Sequence, residues 1–209
     1  MENVTYFTVA ELKKRGWTNT IVRKLLGTAD ATRPNPHFKS AARVRLYLQT
    51  RVNAIEQSEE WPALAQKVSA RRAAAEKGTQ TKRENLLKYV DTVSIHVTVV
   101  SMDEATRSAC ENFNDTKMTN ALKRGHCEFH EATLESDPLF LQRITVNYLR
   151  HGLTRYDHEL GRLFGKVGVR QAYSRLIQNV YAAIEAAYPE LAEECRRQVK
   201  RKLGVADMP

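Results

Sequence analysis

The sequence predicts a mainly α-helical protein with a small mixed module at its N-terminus, and three observations carry that prediction. Residues 137–203 repeat apolar side chains at helical spacing between short breaks. Residues 59–90 are rich in Ala, Lys, Glu and Leu, the strong helix formers. Residues 6–58 place two short helical patterns, a proline-punctuated loop and a return into helix one after another with almost no spare residue. The implied organisation is a compact module at 1–58, a basic helix and linker at 59–101, and a helical domain at 102–209.

With 209 residues, 42% of them apolar, the chain can bury a substantial core. No apolar run approaches the roughly 20 residues of a membrane span. The start, MENVTYFTVAEL, lacks the basic and apolar regions of a secretory signal, so a cytoplasmic protein without a membrane partner is expected. Cys110, Cys127 and Cys195 are odd in number and widely spaced, which argues against a disulfide framework. The formal charge of +9 is uneven: residues 1–90 hold 17 Lys and Arg against 8 Asp and Glu, whereas residues 91–209 hold 16 of each. A field of one sign on one module attracts a polyanion.

The N-terminal module follows from its local signals. Thr8 and Glu11 have capping-box spacing before VAELKKRG, Gly16 stops that helix, and Lys13, Lys14 and Arg15 lie away from its Val9/Leu12 face. Thr18 caps a second helix, NTIVRKLLG, in which Ile21, Val22 and Leu25 face the first while Arg23 and Lys24 face out. Two short helices around a Gly turn predict a helix-turn-helix, with the second helix presented to a groove. Pro34 and Pro36 then force extended chain. Alternation in Arg43-Val44-Arg45-Leu46-Tyr47 predicts a strand that closes a wing. Arg33, Lys39, Arg43 and Arg45 point from this wing toward a backbone, and the helix that follows adds Arg51.

The phrase YFTVAELKKRG, the second helix, and a wing ending in RLY before LQTRVNAIEQ resemble the DNA-binding domain of the mercury-resistance-regulator (MerR) class and of phage excisionases. NPH with Leu46-Tyr47-Leu48 ten residues on is also similar to the DNA-binding domain of the xeroderma pigmentosum group A repair protein. The resemblance covers about a quarter of the chain and implies a winged helix-turn-helix that binds nucleic acid. Two departures are visible. No cysteine precedes Cys110, so the repair protein's upstream zinc finger is missing. The second helix offers Arg23 and Lys24 beside the small Thr18, Asn19 and Thr20, which favours phosphate contact over reading of base edges.

Beyond the module, Pro62 suits a first helical turn, and Arg71 and Arg72 continue the basic surface along a helix that Gly78-Thr79-Gln80-Thr81 interrupts or kinks. TVSIHVTVV at 92–100 reads as an extended linker. A helix near Asp103 gives way to a polar, irregular stretch from Asn114 to Pro138. Cys110, His126, Cys127 and His130 approach zinc-ligand spacing there, but no C-x2-C pair completes a site, so neither metal nor cofactor is expected.

Asp137 with Pro138 opens a helix whose apolar face is Leu139, Ile144, Val146, Leu149 and Leu153. Thr154 caps RYDHELGRLFG. Val169 to Ala187 carries the next apolar stripe, and Glu190 to Leu203 ends the chain with acids early and cations late. Short connections between these helices predict a bundle.

Asn147, Arg150, His151, Arg155, Tyr156, Asp157 and His158 gather at one junction of that bundle. An enzyme would pair His151 or His158 with Asp157 as base and orienter. Without a nucleophile motif, P-loop or dinucleotide fingerprint, a hydrogen-bonded corner is the simpler reading. The sequence thus points to a non-enzymatic protein that grips duplex DNA, in preference to RNA, through phosphates, its C-terminal helices serving a homodimer or a protein partner. The alternatives are an accessory subunit of a CRISPR, defence or mobile-element nucleoprotein complex or its antagonist and, third, an enzyme built on the His151–His158 cluster.

Overall fold

The computed structural model describes residues 5–38, 40–125 and 129–204. The chain is mainly α-helical and divides into two compact units, Met1–Gln80 and Thr81–Pro209. The stretch 59–101 is therefore shared between them. No helix among the described residues is long and apolar enough to cross a membrane.

In the first unit, strand β1 (Tyr6–Thr8) runs directly into helix α1 (Val9–Lys14) through the capping box that the sequence predicts. The Thr8 hydroxyl accepts from Glu11 N–H, and the Glu11 carboxylate accepts from Thr8 N–H at 2.7 Å. Gly16 turns the chain at φ +95°, a left-handed geometry that costs other residues a steric penalty. Helix α2 (Asn19–Ile21) starts on its Thr18 cap and continues as one π turn, Val22–Leu26. Strands β2 (Ala31–Arg33) and β3 (Val44–Leu48) complete an antiparallel sheet of order β1-β3-β2, with Phe7 opposite Tyr47 and Thr32 opposite Arg45. Helix α3 (Gln49–Glu56) follows, and helix α4 (Trp61–Thr92) begins the departure from the sheet.

Leu12, Trp17, Val22, Leu26, Tyr47 and Val52 form the core of this unit. Trp17 stacks on Trp61 with ring centroids 4.5 Å apart, which ties the start of α4 to the turn between α1 and α2. The expected interruption at Gly78–Thr81 is absent, because α4 is continuous from Trp61 to Thr92. A helix-interior glycine costs only about 1 kcal/mol relative to alanine, and the good helix formers on both sides exceed that.

The second unit is built helix on helix. Residues 93–101 carry no helix or strand, and one bridge pairs Val97 with Thr154. Helix α5 (Met102–Arg124) starts on its Ser101 cap and packs against α6 (Pro138–Tyr148), which opens on the expected Asp137 cap. The expected irregular stretch is helix as far as Arg124, and the described residues from Phe129 to Asp137 are irregular as expected. Ala105, Ala109 and Cys110 bury one face of α5, while its polar residues are a solvated face and not a break.

A π turn, Leu149–Leu153, extends α6, and α7 (Asp157–Leu163), α8 (Val169–Ala187) and α9 (Ala192–Leu203) follow. Two expectations fail here. Leu139 is exposed, while Phe140 and Leu141 beside it pack against the core. Thr154 caps no helix: its hydroxyl donates to Leu149 C=O at 2.9 Å, closing the π turn, and α7 starts after Tyr156. The core joins Val146, Leu149, Ile177, Val180, Ile184 and Leu191, and Tyr156, Tyr181 and Tyr188 are buried in it.

Candidate nucleic-acid interface

The cations of the first unit fall into two groups, and the division decides which of them can meet a ligand. Arg15 belongs to the fold. Its guanidinium pairs with Glu56, donates to Asn53 Oδ1 at 3.3 Å and lies 4.8 Å from the Phe7 ring centroid. Glu56 also accepts from Trp17 Nε1 at 2.8 Å, and the Arg15 hydrogen bond holds its carboxyl below the ordinary range. Arg51 belongs to the fold as well, since it donates to Asp30 Oδ1 at 2.7 Å and to the Leu26 carbonyl. Asp30 in turn accepts from Leu48 N–H at 2.9 Å, which locks the end of the π turn to β3. Arg43 lies along β2, its Nε donating to Thr32 Oγ1 at 3.0 Å.

Each of these three predicted residues thus has a partner within the first unit: an acid for Arg15 and Arg51, and the Thr32 hydroxyl and carbonyl for Arg43. Lys39 lies outside the described residues.

Lys13, Lys14, Arg23, Lys24, Arg33, Arg45 and Arg71 are exposed and make no hydrogen bond or ion pair with any described residue. Lys14 and Arg33 act on the Glu11 carboxylate at longer range. Arg45 lies opposite Thr32 and Arg33 opposite Val44, near the β2–β3 loop, so the alternation of strand side chains puts Arg33 and Arg45 on opposite faces of the sheet. Asn35 shapes that loop by accepting from His37 N–H at 2.9 Å and Phe38 N–H at 3.2 Å.

A groove of about 670 Å³ lies between the α1–α2 corner and the first turns of α4. Its floor is apolar, with Trp17, Ile21, Leu64 and Val68. Its rim carries Lys13, Lys67, Arg71 and Arg72 with the polar Thr18 and Thr20, and no acid is among the described residues that line it. Arg72 pairs with Glu76 at 3.1 Å, but both side chains are largely exposed, so the pair is weak and easily exchanged.

The structure therefore brings Lys13, Thr18, Arg71 and Arg72 to one groove. It places Asn19, Arg23 and Lys24 on the exposed side of the second helix, and Arg33 and Arg45 on the sheet. Sequence reasoning missed Lys67 and Thr20. The signal for Lys67 was present, because Leu64, Lys67, Val68 and Arg71 sit at i, i+3, i+4 and i+7, one face of a helix with its apolar and cationic halves side by side.

The two other arrangements considered from sequence come out differently. Neither His151 nor His158 hydrogen-bonds Asp157. His158 Nδ1 is 3.5 Å from Glu159 Oε1, and His151 Nε2 meets the Arg150 guanidinium. Cys110 is buried among Ala109, Ala132 and Ile144, where desolvation pushes its thiol up. Cys127 and His126 lie outside the described residues, and among the described residues no three His, Cys, Asp or Glu side chains are placed to hold a metal.

Comparison of the chain with protein-family models, with curated proteins and with solved structures found no match in any of the three.

Proposed function

We propose that the first unit is a winged helix-turn-helix that grips duplex DNA through its phosphates, and that the protein acts as a non-enzymatic nucleic-acid-binding factor in the cytoplasm. The observation that carries this reading is the acid-free groove rimmed by Lys13, Lys67, Arg71 and Arg72 beside the second helix. Residues 1–80 hold 14 Lys and Arg against 7 Asp and Glu, and the acids Glu56 and Asp30 are spent on fold contacts. The remaining positive field attracts a polyanion, and counterion release from it supplies affinity without sequence preference. The small side chains of Thr18, Asn19 and Thr20 let the backbone of the second helix approach a duplex but offer few donors for base edges. Substituting Lys67 and Arg71 together by alanine tests the groove: binding to unrelated duplexes weakens by a common factor. Unchanged affinity in that variant removes the groove from the interface.

A second reading, an accessory subunit of a CRISPR, defence or mobile-element nucleoprotein complex, rests on the second unit. Met118 and Leu122 are exposed four residues apart on α5, a placement suited to a protein partner. Stable co-purification of one partner, together with weak duplex binding by the purified chain, favours this reading over the first.

A further inference from the structure

Phosphate contact leaves the floor of the first unit's groove without a use. That floor holds Trp17, Ile21, Leu64 and Val68, and a row of phosphates has no apolar surface to lay on them. Trp17 and Ile21 already serve the core of the unit. Leu64 and Val68 are not among the residues packed on that core, yet both are half-buried and line the groove. Apolar surface kept at an open groove is costly in water until a partner covers it.

Two walls frame the floor, the α1–α2 corner on one side and α4 on the other. On α4, Lys67, Val68 and Arg71 follow Leu64 at i+3, i+4 and i+7, so apolar and cationic side chains run side by side over two turns, about 10 Å. Lys13, Lys67 and Arg71 are exposed and make no hydrogen bond or ion pair with any described residue. Arg72 is held only by the exposed Glu76, and no acid is among the described residues that line the groove. A cavity of about 670 Å³ has room for a few large side chains and not for a whole helix. A helix about 10 Å across therefore lies along the rim with one apolar stripe pointing down.

We infer that this groove docks an acidic amphipathic helix of a protein partner, with its apolar side chains on Leu64 and Val68 and its carboxylates against Lys13, Lys67 and Arg71. Charge complementarity selects the occupant. A second copy of the unit, with 14 Lys and Arg against 7 Asp and Glu in residues 1–80, sets like charge against the rim, whereas an acidic helix meets both the rim and the floor. The inference rests on the duplex-binding reading in one respect. The same cations face phosphates there, so the docked helix and a duplex exclude each other, and the partner is a protein competitor of DNA.

Trp17 lines the groove and stacks on Trp61, and these are the two tryptophans of the chain, so their emission reports its occupancy. The test titrates the intact chain, at constant ionic strength, with a synthetic helical peptide that carries leucines at i, i+4 and i+7 on one face and glutamates beside them. The expected result is a saturable change in emission. Serines in place of the leucines, at unchanged charge, weaken binding about tenfold or more, since each lost leucine removes a buried apolar side chain. Leu64→Gln with Val68→Gln weakens the leucine peptide by a similar factor, and the leucine peptide displaces a labelled duplex. No saturable change, or equal affinity for the leucine and serine peptides, overturns the assignment, and the peptide comparison holds even if the double variant fails to fold. A single-stranded oligonucleotide that changes the emission and outcompetes the peptide also overturns it, by giving the floor to bases. Peptide binding by a chain that binds no duplex removes the DNA reading and keeps the docking site, and duplex binding without peptide binding does the reverse.

Discussion

The two units differ in what their paired arginines do. In the first, Arg15 with Glu56 and Arg51 with Asp30 hold the fold, Arg72 pairs weakly with Glu76 on the surface, and Lys13, Arg23, Lys24 and Arg45 stand exposed. In the second, several surface arginines are paired: Arg162 with Glu159, Arg175 with Asp91, Arg196 with Glu185 and Arg197 with Glu194. Arg150 is buried with two of its guanidinium nitrogens unbonded, and Arg107, Arg155 and Arg170 are exposed with no ion pair among the described residues. Net charge alone hides this difference, because it counts a paired and an unpaired arginine alike.

The largest effect that tests this comparison is on duplex affinity. Replacing Lys13, Lys67 and Arg71 by alanine removes three surface charges and, at about 1 kcal/mol per contact, lowers affinity on the order of 100-fold in a fluorescence anisotropy titration. Replacing Arg162, Arg175 and Arg196, which have acidic partners, removes the same formal charge. It should leave affinity within about twofold if pairing, and not net charge, decides.

Next in size is Glu56→Gln, which loses the ion pair with Arg15. After allowance for the half-exposed arginine, the first unit is destabilised by about 1–2 kcal/mol in urea unfolding followed by tryptophan fluorescence. The sign with pH follows from the depressed Glu56 carboxyl. The unfolded chain binds the proton more readily, so this stability is present above the ordinary carboxylate pKa of about 4.3 and is lost as pH falls through the lower folded value. The acid limb of the stability curve is flatter in Glu56→Gln. Thr18→Ala removes the cap that accepts from Ile21 N–H at 3.2 Å and costs about 1 kcal/mol. The smallest change is Gly78→Ala. Helix α4 is unbroken there and nothing lies within 4 Å of the added Cβ, so thermal unfolding shows a gain of about 0.5–1 kcal/mol.

Much of the fold was legible because its signals are local. The Thr8–Glu11 box, the Thr18 and Asp137 caps and the Gly16 turn each depend on three or four neighbouring residues, and each forms. The misreadings, the break at Gly78 and the loss of helix from Asn114 to Arg124, share one cause. Polar residues on a long exposed helix resemble loop when burial on the other face is unknown. The candidate interface was half legible. Charge identified the unit, but whether Arg15, Arg43 and Arg51 are available depends on Glu56, Thr32 and Asp30, which lie 41, 11 and 21 residues away in sequence. The cluster of Asn147 to His158 was visible as polar, yet only packing shows that Arg150 and Tyr156 are its buried members.

The central claim is that the first unit holds duplex DNA through phosphates. The most direct measurement is the affinity of the intact chain for two unrelated duplexes across a range of salt concentrations. The predicted result is a linear fall of log K with log salt, with the same slope of at least about −3 for both sequences, corresponding to three or more neutralised phosphates. Affinity that is absent at low salt, or that does not change with salt, contradicts the account.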